Sequence, residues 1–534
     1  LLIQVLPSLM AQTDPDRSEK EQFIKGEREK LARTGFRKTK MLRRVEDPKE
    51  CIALLQEDGK FADLLFLHQR WDSINLAGVE EQQMVGDYIE KALVRLWNIA
   101  ELFRNGNMPG KNPEALRRRV FKSYVLYQEL EQQRPDIGRF HQSCFAMPRS
   151  GINTYFCFYD IMEKIEGGEL KDSIMEAGRE AMMHIGFQSW TQPRRLDRTD
   201  KHVISVERFQ DHVWWVGGNA LAYRALFECA AMMSSVDMMD VISEVSKKAI
   251  SAVSQTTFNE SFWTEGLTAD GAGWGHGMQC LVWGYPIHGT SAALNNLKRF
   301  QGSPWVQKLN RENIDCLFRF FRASAFLYHK GIEPPALSRQ TANWDKAKPK
   351  AIPSILLVEN LLDNWSSSFT SGELAELNQL KKEAEQHNLI MENYPDGDYH
   401  GTRYFFNNDN FAKKTAAYYS LISMASLRCD GIESFHKKAD AYNLYTCDGM
   451  TFFQRTGNEY KTAIGAWNLT APPGVTARQL DVLQPFTNWR GYTSKRNFAA
   501  GATRGGENGV AGFIFEKMNA SAKKNVNDRT GLDE

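Results

Sequence analysis

At 534 residues the chain is too long for one hydrophobic core, so length alone predicts two domains or more. Lys+Arg 66 against Asp+Glu 65 leaves a formal net charge of +1, which excludes a global field that would recruit nucleic acid or a membrane surface. A hydrophobic share of 42% with 25% charged residues excludes a disordered or fibrous chain.

The chain opens on LLIQVLPSLMAQ, apolar, closing in small and polar residues, and too short to span a bilayer. It reads as the tail of an export signal or as the edge of a first helix; the first reading predicts a secreted or periplasmic protein. Between Glu80 and Phe103, the apolar residues Val85, Tyr88, Ile89, Ala92, Leu96, Ile99 and Phe103 recur at intervals of three and four, the helical period. Similar patterns over 47–71, 113–132, 151–166, 219–235, 238–254, 290–300 and 311–329 are separated by short turns with Gly, Pro or Asn. The first two thirds of the chain is thus predicted to be helical hairpins. Arg117, Arg118 and Arg119 read as a solvated helix face or as a basic track for a polyanion. Eight cysteines are scattered with no zinc-like spacing, so neither a metal site nor a disulfide scaffold is indicated.

Residues 270–289, DGAGWGHGMQCLVWGYPIHG, are the unusual stretch. On a continuous helix His276 and Tyr285, nine residues apart, would face opposite sides. Gly271, Gly273, Gly275 and Gly277 argue against helix in the first half, and Gly284 with Pro286 breaks the second. A loop would let imidazole and phenol meet as general base and general acid. The alternative is a glycine-rich turn with a structural histidine.

After Trp344 the texture changes. Residues 346–390, lysine-rich and proline-punctuated and then running through SGELAELNQLKKEAEQHN, read as an interdomain connection. Beyond it, YYSLISMASLRC, GMTFFQRTG and GVAGFIFEKM carry short β-type runs between glycine-bearing turns. Helices followed by segregated strands predict an α+β multidomain protein: a helical domain over 1–345, the connection over 346–390, and an antiparallel β domain over 391–534.

Several motifs together resemble polysaccharide lyase family 8, the hyaluronate, chondroitin AC and xanthan lyases, with chondroitin ABC lyase a more distant relative. DGAGWGHGMQCLVWGYP resembles the family element holding a His and a Tyr nine residues apart, which nominates His276 and Tyr285. GGNALAYRALFECA resembles its G.N element and nominates Asn219; ALSRQ resembles the end of its GR.ISR element and nominates Arg339. SMASLRCDGIES, CDGMTFF and APPGVTA resemble elements of its β region, the first nominating Glu433. The resemblance implies an incomplete (α/α) toroid followed by an antiparallel β-sandwich.

It further implies β-elimination on a uronate-containing polysaccharide such as chondroitin sulfate or hyaluronan, with no metal and no cofactor. The partner would be an acidic polysaccharide, not nucleic acid or membrane, met by a monomer. Removing a proton α to a carboxylate adds charge beside charge, so the carboxylate must be neutralised. Asn219, helped by Arg339, would do so as an oxyanion hole does. A free phenol titrates near about 10, so a basic Tyr285 needs a neighbouring cation, for which Arg339 is the candidate. Glu433 would orient the arginine or the histidine.

Trp214, Trp215, Trp274, Phe140, His141 and His436 are the candidate substrate-binding residues. Two departures bear on substrate choice. RFHQSCFAMPRSG places Arg139, Phe140 and His141 where relatives carry an Asn-Trp-Trp platform, and the first arginine of GR.ISR falls on Pro335. His436 likewise stands where an Asn usually follows the Glu. Each nominee has a plain alternative: Asn219 as a helix cap, Trp214 and Trp215 as packing, Arg339 as a surface pair with Glu333, Glu433 as an exposed strand residue. Two other functions stay open. One is an (α/α)-toroid glycoside hydrolase, which needs two facing carboxylates and has Glu265 and Asp270 nearby. The other is a non-catalytic carbohydrate-binding protein on the same scaffold.

Overall fold

The computed structural model describes residues 15–35, 46–107, 112–134, 142–191, 203–211, 219–255, 261–275, 277–305, 308–331, 337, 352–431, 446–459, 473–476 and 492–519. The chain forms two compact units, one of residues 1–209, 223–244 and 300–306, the other of 210–222, 245–299 and 307–534.

In the first unit, α1 (Pro15–Thr34), α2 (Pro48–Leu54), α3 (Leu65–Gln69), α4 (Val79–Arg104), α5 (Pro113–Gln133), α6 (Met147–Cys157), α7 (Tyr159–Glu166) and α8 (Ser173–Phe187) follow in order, with α11 (Leu226–Met232). Three more, α9 (Val206–Asp211), α10 (Asn219–Tyr223) and α12 (Val236–Lys248), cross between the units. The periodicity predicted over 80–103 is the buried stripe of α4, with Val85, Ile89, Ala92, Leu96 and Ile99 completely enclosed. Helices α4, α5, α6 and α8 pack closely because small residues stand at their crossings. A β-carbon at Gly178 would lie 2.7 Å from Phe121, and one at Gly151 2.9 Å from the Met182 carbonyl. Arg28 of α1 donates to Tyr155, Glu163 and Glu166, each at 2.9 Å, tying α1 to α6 and α7.

The second unit holds α13 (Tyr285–Arg299), α14 (Arg311–Phe326), α15 (Ile355–Asn364) and α16 (Ser371–Glu385), and all the strands among the described residues. Residues 355–385, expected to be a connection, form a helical pair whose first member packs on α13. Thr370 and Glu373 make a reciprocal capping box that starts α16.

The described strands of the β-rich C-terminal region expected from the sequence pair antiparallel. Strands β4 (Gly401–Phe405), β5 (Asn410–Lys414), β6 (Tyr419–Ser423) and β7 (Met450–Gln454) form a four-stranded meander, Tyr404 opposite Phe411 and Leu421 opposite Phe452. Buried residues alternate with more exposed ones along β5 and β6, the period-two pattern of a sheet with one inward face. Strand β8 (Tyr492–Ser494) pairs with β11 (Lys517–Asn519), and β9 (Ala499–Arg504) with β10 (Asn508–Phe513).

All eight cysteines are buried free thiols. Among the described residues no helix is long and apolar enough to cross a membrane.

Lys414, at the end of β5, is completely buried, its Nζ donating to the Ala325 carbonyl at 2.6 Å. Burial pushes its ammonium down to about 7 from 10.5. The lowered folded-state pKa sets the sign: at pH below 7 folded and unfolded chains both carry the proton, and the folded one bears the full cost of a buried charge. As pH rises through 7 the folded chain releases the proton while the unfolded chain keeps it, so stability rises. Denaturant unfolding should show this unit gaining about 2 kcal/mol between roughly pH 7 and pH 9, and Lys414→Met should abolish the gain.

Candidate active site

The glycine-rich stretch is not a loop but a small sheet. Strands β1 (Gly266–Leu267), β2 (Gly273–Gly275) and β3 (Gln279–Cys280) pair antiparallel in that order. Gly271, at φ +86°, forms the β1–β2 turn in a conformation that disfavours any side chain. Space explains the next two glycines. A β-carbon on Gly273 would come 2.6 Å from the Pro286 ring, and one on Gly275 2.8 Å from the Tyr285 ring. The first turn of α13 therefore sits directly on β2, with Tyr285 as the first helical residue and half-buried.

Asp270 locks this arrangement to the meander. It is 3% exposed, and its Oδ1 accepts from the Thr268 hydroxyl at 2.6 Å and the Ala272 amide at 3.1 Å. Its Oδ2 accepts from the Asn407 amide at 2.8 Å, while the Asp270 amide donates to Asn407 Oδ1 at 3.2 Å. Asn407, completely buried in the turn after β4, also offers its carbonyl to the indole of Trp274 at 3.2 Å. With both oxygens engaged by donors of its own unit, Asp270 is a structural carboxylate, which removes it from the facing pair that a hydrolase requires. Glu265, 7% exposed, accepts from the Gly277 amide and so holds the backbone one residue after His276.

Two sequence-distant segments meet this sheet. The Val282 amide donates to the Leu337 carbonyl at 3.0 Å, two residues before Arg339. The Asp430 amide donates to the Met278 carbonyl at 2.9 Å, and Gln279 Nε2 donates to the Gly431 carbonyl at 2.8 Å, two residues before Glu433. Gly275, which precedes His276, lies under the Tyr285 ring. The described neighbours of His276, Arg339 and Glu433 are thus all joined to the 275–285 segment.

Of the nominated residues, Tyr285 is described in full. His276, Arg339, Glu433, Trp214, Trp215, Phe140, His141 and His436 lie outside the described residues. Asn219 begins α10, and its side chain lies outside them too. Trp274 corrects an expectation: it is completely buried and its indole N–H is committed to Asn407, so it has no open face for a sugar ring. Asn407 and Gln279, which organise the sheet, were not singled out from the sequence; isolated amide residues carry no pattern that would mark them. Among the described residues no group of three or more His, Cys, Asp or Glu side chains is arranged to hold a metal ion.

Residues 400–527 match the family described as polysaccharide lyase family 8, super-sandwich domain. Among solved structures, the chain is similar to a chondroitinase AC lyase studied as enzyme–oligosaccharide complexes, at 16% identity and a TM-score of 0.55, covering 92% of this chain and 62% of that one. It is also similar to a mutant chondroitin AC lyase of Streptomyces coelicolor, at 12% identity and a TM-score of 0.51, covering 93% of this chain and 66% of that one. The chain therefore spans under two thirds of the length of these structures. No curated protein matches the sequence. A helical N-terminal part followed by an antiparallel sheet region is the fold shared with these chondroitin AC lyase structures, and residues 400–527 match the super-sandwich domain of polysaccharide lyase family 8.

Proposed function

We propose that the chain is a polysaccharide lyase that cleaves a uronate-containing polysaccharide, a glycosaminoglycan of the chondroitin or hyaluronan type, by β-elimination. Asn219 and Arg339 hydrogen-bond the uronate carboxylate and stabilise the enolate-like transition state. His276 or Tyr285 takes the C5 proton, the C4–O4 bond breaks as the C4–C5 double bond forms, and Tyr285 delivers a proton to the departing O4. Glu433 orients the arginine or the histidine. Sugar rings would rest on Trp214, Trp215, Phe140, His141 and His436. The enzyme acts outside the cytoplasm, as a monomer.

The observation that supports this reading is the meeting of two distant segments with the 275–285 segment at one small sheet. Backbone bonds at Leu337 and Asp430, and the Gln279 side-chain bond to Gly431, fasten the approaches to Arg339 and Glu433 onto the strand and turn that lead from Gly275 to Tyr285. An imidazole, a phenol, a guanidinium and a carboxyl group can act on one sugar only if their chain segments are brought together in this way. Incubation with chondroitin sulfate, hyaluronan and an unsulfated polyuronate, followed by ultraviolet absorbance of the unsaturated uronate, tests it. A rising signal with at least one polymer is expected; folded protein silent on all of them ends the proposal.

A further inference from the structure

Helix α14 presents Arg311, Arg319 and Arg322 on one face, above a cavity of about 560 Å³ whose floor includes Arg403 of β4. Two of these four guanidinium groups are answered by carboxylates. Arg311 pairs with Asp315 and Glu373, both at 2.7 Å, and Arg322 is held by the two oxygens of Glu376 at 2.7 and 2.8 Å. The other two are not. Arg319 is exposed and makes no ion pair with any described residue. Arg403 lies over the Phe405 ring at 4.7 Å and donates only to carbonyl oxygens, those of Asp270 at 2.5 Å, Gly397 at 3.3 Å and Asp398 at 3.5 Å. Burial lowers the Arg403 pKa, the charges of Asp270 and Asp398 oppose that fall, and the charges of Arg322 and Arg319 add to it.

A second cavity, of about 650 Å³, adjoins the first across Gly397 and Arg403. It is bordered by Phe406, 44% exposed, and by the glycine turn between β9 and β10. Spaces of this size accept sugar residues, and an open aromatic ring beside unpaired guanidinium groups suits a saccharide bearing an anionic substituent. A guanidinium offers paired donors that match the geometry of a sulfate or a carboxylate.

We infer that Arg319 and Arg403 form an anion subsite for a sulfate or carboxylate group of an acidic polysaccharide, with the sugar chain continuing past Phe406 into the adjoining cavity. Tyr285, the catalytic nominee whose side chain is described, lines neither cavity. The identity of the ligand rests on the proposed function; the anion preference rests on the two arginines. Such a subsite adds grip on the polymer and makes affinity depend on chain length.

The test measures Kd for chondroitin sulfate and for hyaluronan, with wild type, Arg319→Glu and the charge-matched control Arg17→Glu, over a range of salt. Arg17 is exposed, on α1 of the other unit, and its reversal should change nothing. Arg319→Glu should weaken polymer binding about threefold to tenfold at low salt, and less as salt is raised. A loss confined to chondroitin sulfate assigns the anion as sulfate; an equal loss with hyaluronan assigns it as carboxylate. Arg319→Glu indistinguishable from Arg17→Glu, or wild type binding neither polymer, overturns the subsite. The two proposals fail separately. Unsaturated product with unchanged Arg319→Glu affinity leaves the lyase and removes the subsite, whereas weakened Arg319→Glu binding without product does the reverse.

Discussion

Tyr285→Phe is expected to lower kcat for release of unsaturated uronate by about 10²- to 10⁴-fold while leaving polysaccharide affinity nearly unchanged. The substitution removes one oxygen and keeps the ring. The ring packs on Gly275 at the start of α13, and Phe keeps that packing. A loss of turnover without loss of thermal stability would therefore report on the phenol itself. If Tyr285 protonates the departing O4, the variant has no acid at that position and the C4–O4 bond must break towards an unprotected alkoxide. His276→Ala should match it if the imidazole is the base, and should cost much less if the phenol serves both steps. Activity within about twofold of wild type in both variants would remove the imidazole–phenol mechanism. A pure binding protein has no turnover to lose, so the same pair of variants separates that alternative.

The helical half was legible because its signal is local. In α4 the apolar residues repeat every three or four positions, and the same residues line the buried stripe. The late strands β6, β7 and β10 were also legible, as short β-type runs between glycine turns. The small sheet β1–β3 was not. Its strands are two or three residues long and built largely of glycine, so they lack the branched and aromatic side chains that announce a strand. The glycines were read as freedom to form a loop, whereas at 273 and 275 they provide clearance for α13.

Trp274 illustrates the same limit at the level of one side chain. An indole between two glycines reads equally as a sugar platform or as core, and only the buried Asn407 carbonyl, 133 residues away, decides for core. Long-range pinning of this kind fixes the site as well. Gln279 reaches Gly431 across 152 residues, a pairing that leaves no trace in spacing or periodicity. The order of the motifs along the chain was therefore readable, but the bonds that bring their flanks together were not.

Asp270→Ala should be the most damaging single change to the second unit, costing about 3–6 kcal/mol as one buried carboxyl group disappears from three donors. The Asn407 and Ala272 amides and the Thr268 hydroxyl would be left in a space that water does not readily reach. Asp270→Asn keeps the shape but replaces one acceptor oxygen by an N–H group. Each oxygen faces a fixed backbone amide, Ala272 at Oδ1 and Asn407 at Oδ2, but Oδ1 also faces a hydroxyl that can rotate to accept, so the new N–H group is best placed at Oδ1, where only the Ala272 amide loses its acceptor, and a smaller loss of about 1–3 kcal/mol is expected. Gly271→Ala attacks the same turn sterically: φ is +86°, and the new methyl group would stand 2.4 Å from the Arg319 carbonyl of α14. Backbone must move to admit it, so that variant should lose several kcal/mol as well, although it removes no hydrogen-bonding group. Denaturant midpoints of the three variants separate the causes. Asp270→Asn falling well short of Asp270→Ala assigns the stability to hydrogen bonding, whereas equal losses would mean that the turn is held by its shape and that the Asn407 bridge contributes little.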